Sequence, residues 1–187
     1  MPEICLVIRG MVLMSDGKGI VMLFTGDGKG KTTAAVGAAV RAAGHGAAVL
    51  IIQFMKGRLY GELTAVEKID NITIEQHGRD EFVDPKNPGK IDIELAGKGW
   101  TRALEAVSSD PPSLLVLDEI NVAVSFGLIP LESVIEFVNE RPDGMDLILT
   151  GRYAAQELIA IADTVTEMKE IKHHYNAGVQ MRKGIEY

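Results

Sequence analysis

Short apolar runs recur along the chain at residues 20–24, 47–53, 72–76, 114–118, 147–150 and 164–168, each with the length and branched side chains of a buried strand. Between them, apolar positions repeat at helical spacing over residues 32–43, 61–68, 91–108, 131–139 and 154–162. Strand alternating with helix predicts βαβ units around a mainly parallel sheet with helices on both sides, a three-layer α/β/α domain. Residues 19–187 are expected to form that one domain, with residues 1–18 as a short segment of no evident role. The stretch 77–89, carrying Pro85 and Pro88, is the one long loop, and long loops in compact domains are disproportionately functional.

Composition narrows the class without naming it. The 187 residues are 47% hydrophobic and 24% charged, ordinary for a globular protein and enough to bury roughly 70% of the unfolded surface. Nineteen basic against 26 acidic residues leave a net charge of −7, which disfavours a surface that grips nucleic acid. Cys5 is the single cysteine, so neither an intrachain disulfide nor a thiolate metal cluster can form within one chain, and a reducing compartment is expected. No apolar run approaches the ~20 residues of a membrane span, and residues 1–18 lack a secretory pattern. The reading is cytoplasmic, with no membrane partner. Met11 and Met14 are candidate alternative starts.

The chemistry begins at the end of the first run. Gly26, Asp27, Gly28, Lys29, Gly30, Lys31, Thr32 and Thr33 join a strand pattern to an Ala-rich helix pattern, the context of a P-loop in a RecA-like domain. Glycines let backbone N–H groups converge on phosphate oxygens, the helix start adds positive potential, Lys31 supplies an ammonium, and Thr32 offers a hydroxyl to Mg²⁺. The first glycine stands five residues before Lys31, where the usual spacing is six; Thr25 occupies the sixth place. The cradle is therefore one residue short, and its register need not suit transfer of the terminal phosphoryl group. Asp27 would repel a triphosphate, so its side chain is expected to turn toward a local N–H or toward Lys29.

About 85 residues further on, an apolar strand pattern ends in Asp118 and Glu119, the arrangement that brings carboxylate charge beside a P-loop to hold Mg²⁺. The run ending in Thr150-Gly151-Arg152 offers a cation that can reach a triphosphate from a neighbouring strand. Phosphoryl transfer by an ATPase or kinase is one reading of this set. A RecA-like module binding nucleic acid is another, but no basic stretch interleaved with aromatic residues supports it.

Several ordered blocks together carry a more specific resemblance. They are Thr25-Gly26-Asp27-Gly28-Lys29-Gly30-Lys31-Thr32-Thr33-Ala34-Ala35, Arg41-Ala42-Ala43-Gly44-His45-Gly46 and Gln53-Phe54-Met55-Lys56-Gly57. Further on come Val116-Leu117-Asp118-Glu119-Ile120-Asn121, Leu128-Ile129-Pro130-Leu131-Glu132, Arg141-Pro142, Thr150-Gly151-Arg152, Ala162-Asp163-Thr164-Val165-Thr166-Glu167 and Gly184-Ile185-Glu186-Tyr187. From residue 19 to the end the chain resembles the P-loop type of ATP:corrinoid (cob(I)alamin) adenosyltransferase. The resemblance implies that a Co(I) corrinoid, cobalamin or a cobinamide-type compound, attacks the 5′-carbon of ATP and expels the whole triphosphate, with ATP lying in the reverse sense to other P-loop enzymes. A short cradle suits a triphosphate that departs. It further implies Mg²⁺, a flavoprotein-type reductase as electron donor, and a homodimer.

Carried over by position, residues 26–33 bind triphosphate with Lys31 as clamp, Thr32 and Glu119 hold Mg²⁺, and Asp118 is a direct or indirect partner of the metal. Relatives carry a Phe-Thr-Trp segment where rings pack on the corrin; here only Phe82 stands in for it. The N-terminal helix that covers the corrinoid in relatives is replaced by residues 1–18. Other residues receive plainer readings. His173 and His174 are expected on opposite sides of a strand, Trp100 in packing, the eight methionines in adaptable packing, and Gly37 where the first helix nears the sheet. Arg41, Lys56 and Arg58 face either ATP or water.

Overall fold

The computed structural model describes residues 17–187. Most of the N-terminal segment, with Cys5, Met11 and Met14, lies outside the described residues. Six strands, β1 (Val21–Thr25), β2 (Val49–Phe54), β3 (Ile72–His77), β4 (Leu114–Asp118), β5 (Asp146–Thr150) and β6 (Thr164–Glu167), form one sheet in the order β3-β2-β4-β5-β1-β6. Every pairing in it is parallel. The helices are α1 (Lys31–Gly44), α2 (Gly61–Val66), α3 (Lys90–Ser109), α4 (Ile120–Ser125), α5 (Leu131–Glu140) and α6 (Gln156–Ile161), followed by a 3₁₀ turn at His174–Ala177.

Side chains alternate across the strands and so build two cores. Leu50, Ile52, Leu115, Leu117, Leu147 and Leu149 face the side covered by α3 to α6, whereas Val49, Ile51, Leu114, Val116 and Ile148 face α1 and α2. Each such side chain, fully buried, contributes about 1.5–3 kcal/mol. Because both faces are covered, the central strands read as continuous apolar runs. The buried apolar face of α1 is alanine: Ala35, Ala39 and Ala43 recur one turn apart and let the helix lie close to the sheet, with Val36 packed at its side.

The expected alternation is the observed one, with differences at the ends. β2 starts at Val49, two residues later than its apolar run, and α2 stops at Val66. α4 escapes periodicity because its six residues follow the acidic strand end directly and include two valines and an isoleucine. Gly37 does not approach the sheet: it is exposed, and a methyl group there would meet nothing within 4 Å. His173 and His174 lie at the 3₁₀ turn, off any strand, and their rings stack at 4.6 Å, so the expectation of opposite orientations does not hold. Trp100 packs on Phe137 at 5.2 Å between α3 and α5. No helix among the described residues is long and apolar enough to cross a membrane.

Candidate functional site

All six strands point their C-terminal ends to one edge, where parallel α/β sheets bind ligands. At that edge the strand order places β5 between the strand that enters the phosphate loop and the strand that ends in acid. The loop is pressed against the segment after β6. Gly28 donates its N–H to the Met168 carbonyl at 2.7 Å, and a Cβ on Gly28 would stand 2.7 Å from the same oxygen. Gly30, at φ 113, then turns the chain into α1, whose first N–H groups lack intrahelical partners and face the cavity edge. Lys31 curls back, donating from Nζ to the carbonyls of Gly26 and Gly28, both at 2.7 Å. Burial, with Arg152 nearby, lowers its pKa despite the opposing charges of Glu119, Asp27 and Asp118.

Asp118 is the hub of a buried network. Its Oδ1 accepts from Thr150 Oγ1 at 2.6 Å and Thr32 Oγ1 at 2.9 Å; its Oδ2 accepts from Lys56 Nζ at 2.7 Å and Gln53 Nε2 at 3.0 Å. Gln53 is held in turn by Gln76 at 3.0 Å. Four adjacent strands thus meet in one chain of hydrogen bonds, the kind of fully satisfied polar network that fixes a unique geometry. Lys56 also donates to Thr32 Oγ1 at 3.1 Å. Burial alone would lower the pKa of Lys56, but the charge and hydrogen bond of Asp118, with Glu119 and Glu62 beyond, hold it above the ordinary lysine value.

Glu119 differs from its neighbour. Its backbone is left-handed at φ 66, its N–H donates to Thr150 Oγ1 at 3.0 Å, and its carboxylate makes no hydrogen bond or ion pair among the described residues. Burial and the charge of Asp118 push its pKa up, against Lys56, Lys31 and Arg152. Met55 and Tyr153 are likewise left-handed, at φ 55 and 61. Each such residue costs about 1–3 kcal/mol, and all three line the same cavity, where such strain characteristically gathers.

That cavity measures about 790 Å³, a volume typical of small-molecule sites. The cradle, Lys56, Glu119 and Arg152 line it, as do the rings of Phe82, Phe126 and Tyr153, and the C-terminal residues Ile185, Glu186 and Tyr187. Phe82 is fully exposed in the loop after β3. Phe126 and Tyr153 stack on each other at 6.5 Å. No group of three or more His, Cys, Asp or Glu able to hold a metal occurs among the described residues.

With this geometry in place, comparison with known proteins is specific. A model of the family described as ATP:corrinoid adenosyltransferase BtuR/CobO/CobP matches residues 17–187. The chain belongs to the ATP:corrinoid adenosyltransferase family. It is similar to a corrinoid adenosyltransferase of Escherichia coli K12, 36% identical over 92% of this chain and 87% of the relative. One from Sinorhizobium is 35% identical over 95% and 84%, and one from Salmonella typhimurium 36% identical over 91% and 86%.

In this adenosyltransferase-family chain the fold brings residues 27–33, Glu119, Arg152 and Phe82 to one cavity, whereas Gly26 is not in its lining and Asp118 is buried behind it, joined to it through Thr32 and Lys56. Asp27 is exposed, and Lys29 does not pair with it: Lys29 reaches the tail residue Glu186 at 3.3 Å, because the C-terminal segment packs beside the loop. Arg41 lies in the last turn of α1, about 15 Å along the helix from Lys31, so it does not face the cradle. Arg58 pairs with Asp80 at the cavity rim, and Lys56 faces Asp118. Gln53, Lys56 and Thr150 were not assigned roles from sequence. A partial signal was present: Gln53 and Thr150 are polar residues that follow apolar runs at or next to a strand end, as Asp118 does.

Proposed function

We propose that the chain transfers the 5′-deoxyadenosyl group of ATP to the Co(I) centre of a reduced corrinoid, cobalamin or a cobinamide-type compound, and releases inorganic triphosphate. The observation that carries this reading is the single cavity lined both by a phosphate cradle and by the rings of Phe82, Phe126 and Tyr153, which suits a nucleotide beside a large flat ring. In the transfer the electron pair of Co(I) forms the bond to C5′, the C5′–O bond breaks, and its electrons leave on the triphosphate. Cobalt ends two electrons more oxidised and no proton moves. A general base is unnecessary, and the work of the chain is positioning and charge stabilisation.

Each residue has a role consistent with its place. Lys31 exchanges the carbonyls of Gly26 and Gly28 for phosphate oxygens, and the first N–H groups of α1 meet the same group. Arg152 adds a second cation from the end of β5. The donor set fits Mg²⁺: Thr32 Oγ1 donates to Asp118 and accepts from Lys56, leaving one lone pair, and the unpaired Glu119 carboxylate faces the same cavity. Thr32 and Glu119 would hold the ion, while Asp118 orients Thr32. When bound, Mg²⁺ supplies positive charge to the departing triphosphate. Phe82 is the candidate side chain for the lower face of the corrinoid.

The single cysteine and the need for a strongly reducing donor support a cytoplasmic setting with a flavoprotein-type reductase. The resemblance supports a homodimer. The test is anaerobic incubation with pre-reduced Co(I) cobalamin and ATP carrying ¹³C at C5′. The expected product holds the label in a methylene bonded to cobalt; label retained in ADP would replace this reading with phosphoryl transfer.

A further inference from the structure

Lys56 sits at the point in the site where a cation would be expected. Its Nζ is 2.7 Å from Asp118 Oδ2 and 3.1 Å from Thr32 Oγ1, and 5.6 Å from the centre of the Tyr60 ring. Its side chain is 16% exposed and that of Asp118 1%, so the pair is largely withdrawn from solvent. The backbone holds it there. Met55 before it is left-handed at φ 55, and Gly57 after it lies so close to the loop after β3 that a Cβ would stand 2.6 Å from the Gly78 carbonyl.

Two adjacent carboxylates at a strand end, with a hydroxyl converging on one of them, form a set of hard oxygen donors that attracts a divalent cation from solution. In this chain the attraction is already answered. The ammonium of Lys56 neutralises Asp118, and all four donors to Asp118 are in place, two on each oxygen. A free divalent ion approaching Glu119 and Thr32 meets the Lys56 ammonium bonded to the Thr32 hydroxyl. A cation already bound to a triphosphate brings net negative charge and meets the same ammonium as an attraction.

We propose that Lys56 is a built-in counter-ion that keeps free divalent cation out of the site, so that metal enters only as its nucleotide complex. The inference rests on the reading of Thr32 and Glu119 as metal ligands and adds to it a rule for the order of entry. It also explains why the unpaired carboxylate is Glu119 and not Asp118: one acid is held for the ammonium, the other for the incoming complex.

The test titrates the full-length protein with Mn²⁺ alone and follows the electron paramagnetic resonance signal of the free ion, with thermal unfolding confirming that each variant is folded. Wild type is expected to bind Mn²⁺ weakly without nucleotide. Lys56→Met, and independently Lys56→Gln, are expected to bind it at least about tenfold more tightly, while Lys56→Arg stays with wild type. Adding Glu119→Gln to Lys56→Met is expected to abolish the gain. Equal binding by wild type and both neutral variants, or a gain that survives Glu119→Gln, overturns the proposal. A separate arm measures Mn²⁺ with ATP in wild type and Glu119→Gln; if Glu119→Gln does not weaken that complex, the metal-ligand reading fails, whatever the Lys56 variants do.

Discussion

Thr150 and Asp118 meet across neighbouring strands: Thr150 Oγ1 donates its hydroxyl hydrogen to Asp118 Oδ1 at 2.6 Å and itself accepts the N–H of Glu119 at 3.0 Å. One hydroxyl thereby orients the buried acid and holds the left-handed residue that follows it. Thr150→Val keeps the shape and removes both bonds. It is expected to cost about 1–3 kcal/mol of stability, read as a fall of roughly 2–4 °C per kcal/mol in thermal unfolding. Adenosylation should fall as well, and Thr150→Ser should restore most of both. An unchanged melting temperature and rate in Thr150→Val would remove this contact from the account.

Lys31 and Thr32 line the cavity beside each other and are the residues proposed to act on the triphosphate and its metal ion. Lys31→Ala removes the ammonium and Thr32→Ala the hydroxyl proposed for Mg²⁺, so each is expected to lower adenosylation at least about tenfold, about 1.4 kcal/mol of barrier. Corrinoid binding, measured separately by absorbance, should survive. Wild-type turnover in either variant would show that the reacting nucleotide lies elsewhere.

Phe82 is fully exposed and lines the cavity, so its ring is free to pack against a bound ligand. An apolar side chain against the lower face of the corrinoid displaces an electron-donating ligand and makes the cobalt easier to reduce. Phe82→Ala should leave ATP binding nearly intact. It should slow the reaction more with a weak reductant than with cobalamin supplied as Co(I). Equal rates for variant and wild type under both conditions would reassign Phe82, with Phe126 and Tyr153 next to be tested.

Glu186 fastens the C-terminal tail beside the phosphate loop. Its carboxylate accepts the Arg182 N–H at 2.7 Å and lies 3.3 Å from both Lys29 Nζ and His174 Nε2. The Arg182 N–H first, then Lys29 and His174, hold its pKa below the ordinary 4.5, against desolvation. A depressed carboxylate stabilises the folded state fully above its unfolded pKa and loses that contribution as pH falls through the folded value. Protection of the amides over residues 174–187, taken relative to their intrinsic exchange rates at each pH, should therefore hold from neutral pH down to about 4.5 and fall in more acid solution. Glu186→Gln should show reduced protection throughout; protection in that variant equal to wild type at neutral pH would contradict the anchoring role.

The strands were legible in the sequence because a sheet covered on both faces needs unbroken apolar runs, and the cradle because its glycines and Lys31 have few other uses. The network around Asp118 was not. Gln53 stands opposite Asp118 only through the register of β2 on β4, and Thr150 reaches it only because β5 lies between β4 and β1. Pairing of strands distant in sequence is set by the whole sheet, and local patterns do not encode it. Lys56 was undecided for the same reason: a lysine after a strand faces water or a buried acid according to what the next strand delivers. His173 and His174 were misread because the tail that stacks their rings carries no strand at all.

A single anaerobic turnover with Co(I) cobalamin and MgATP distinguishes cleavage of the C5′–O bond of ATP, the expected event, from cleavage within the triphosphate. The cobalt spectrum and the phosphate products are followed together. Loss of the Co(I) bands, growth of the cobalt–carbon spectrum and one equivalent of inorganic triphosphate are the expected result. Appearance of ADP with the Co(I) bands unchanged would contradict it.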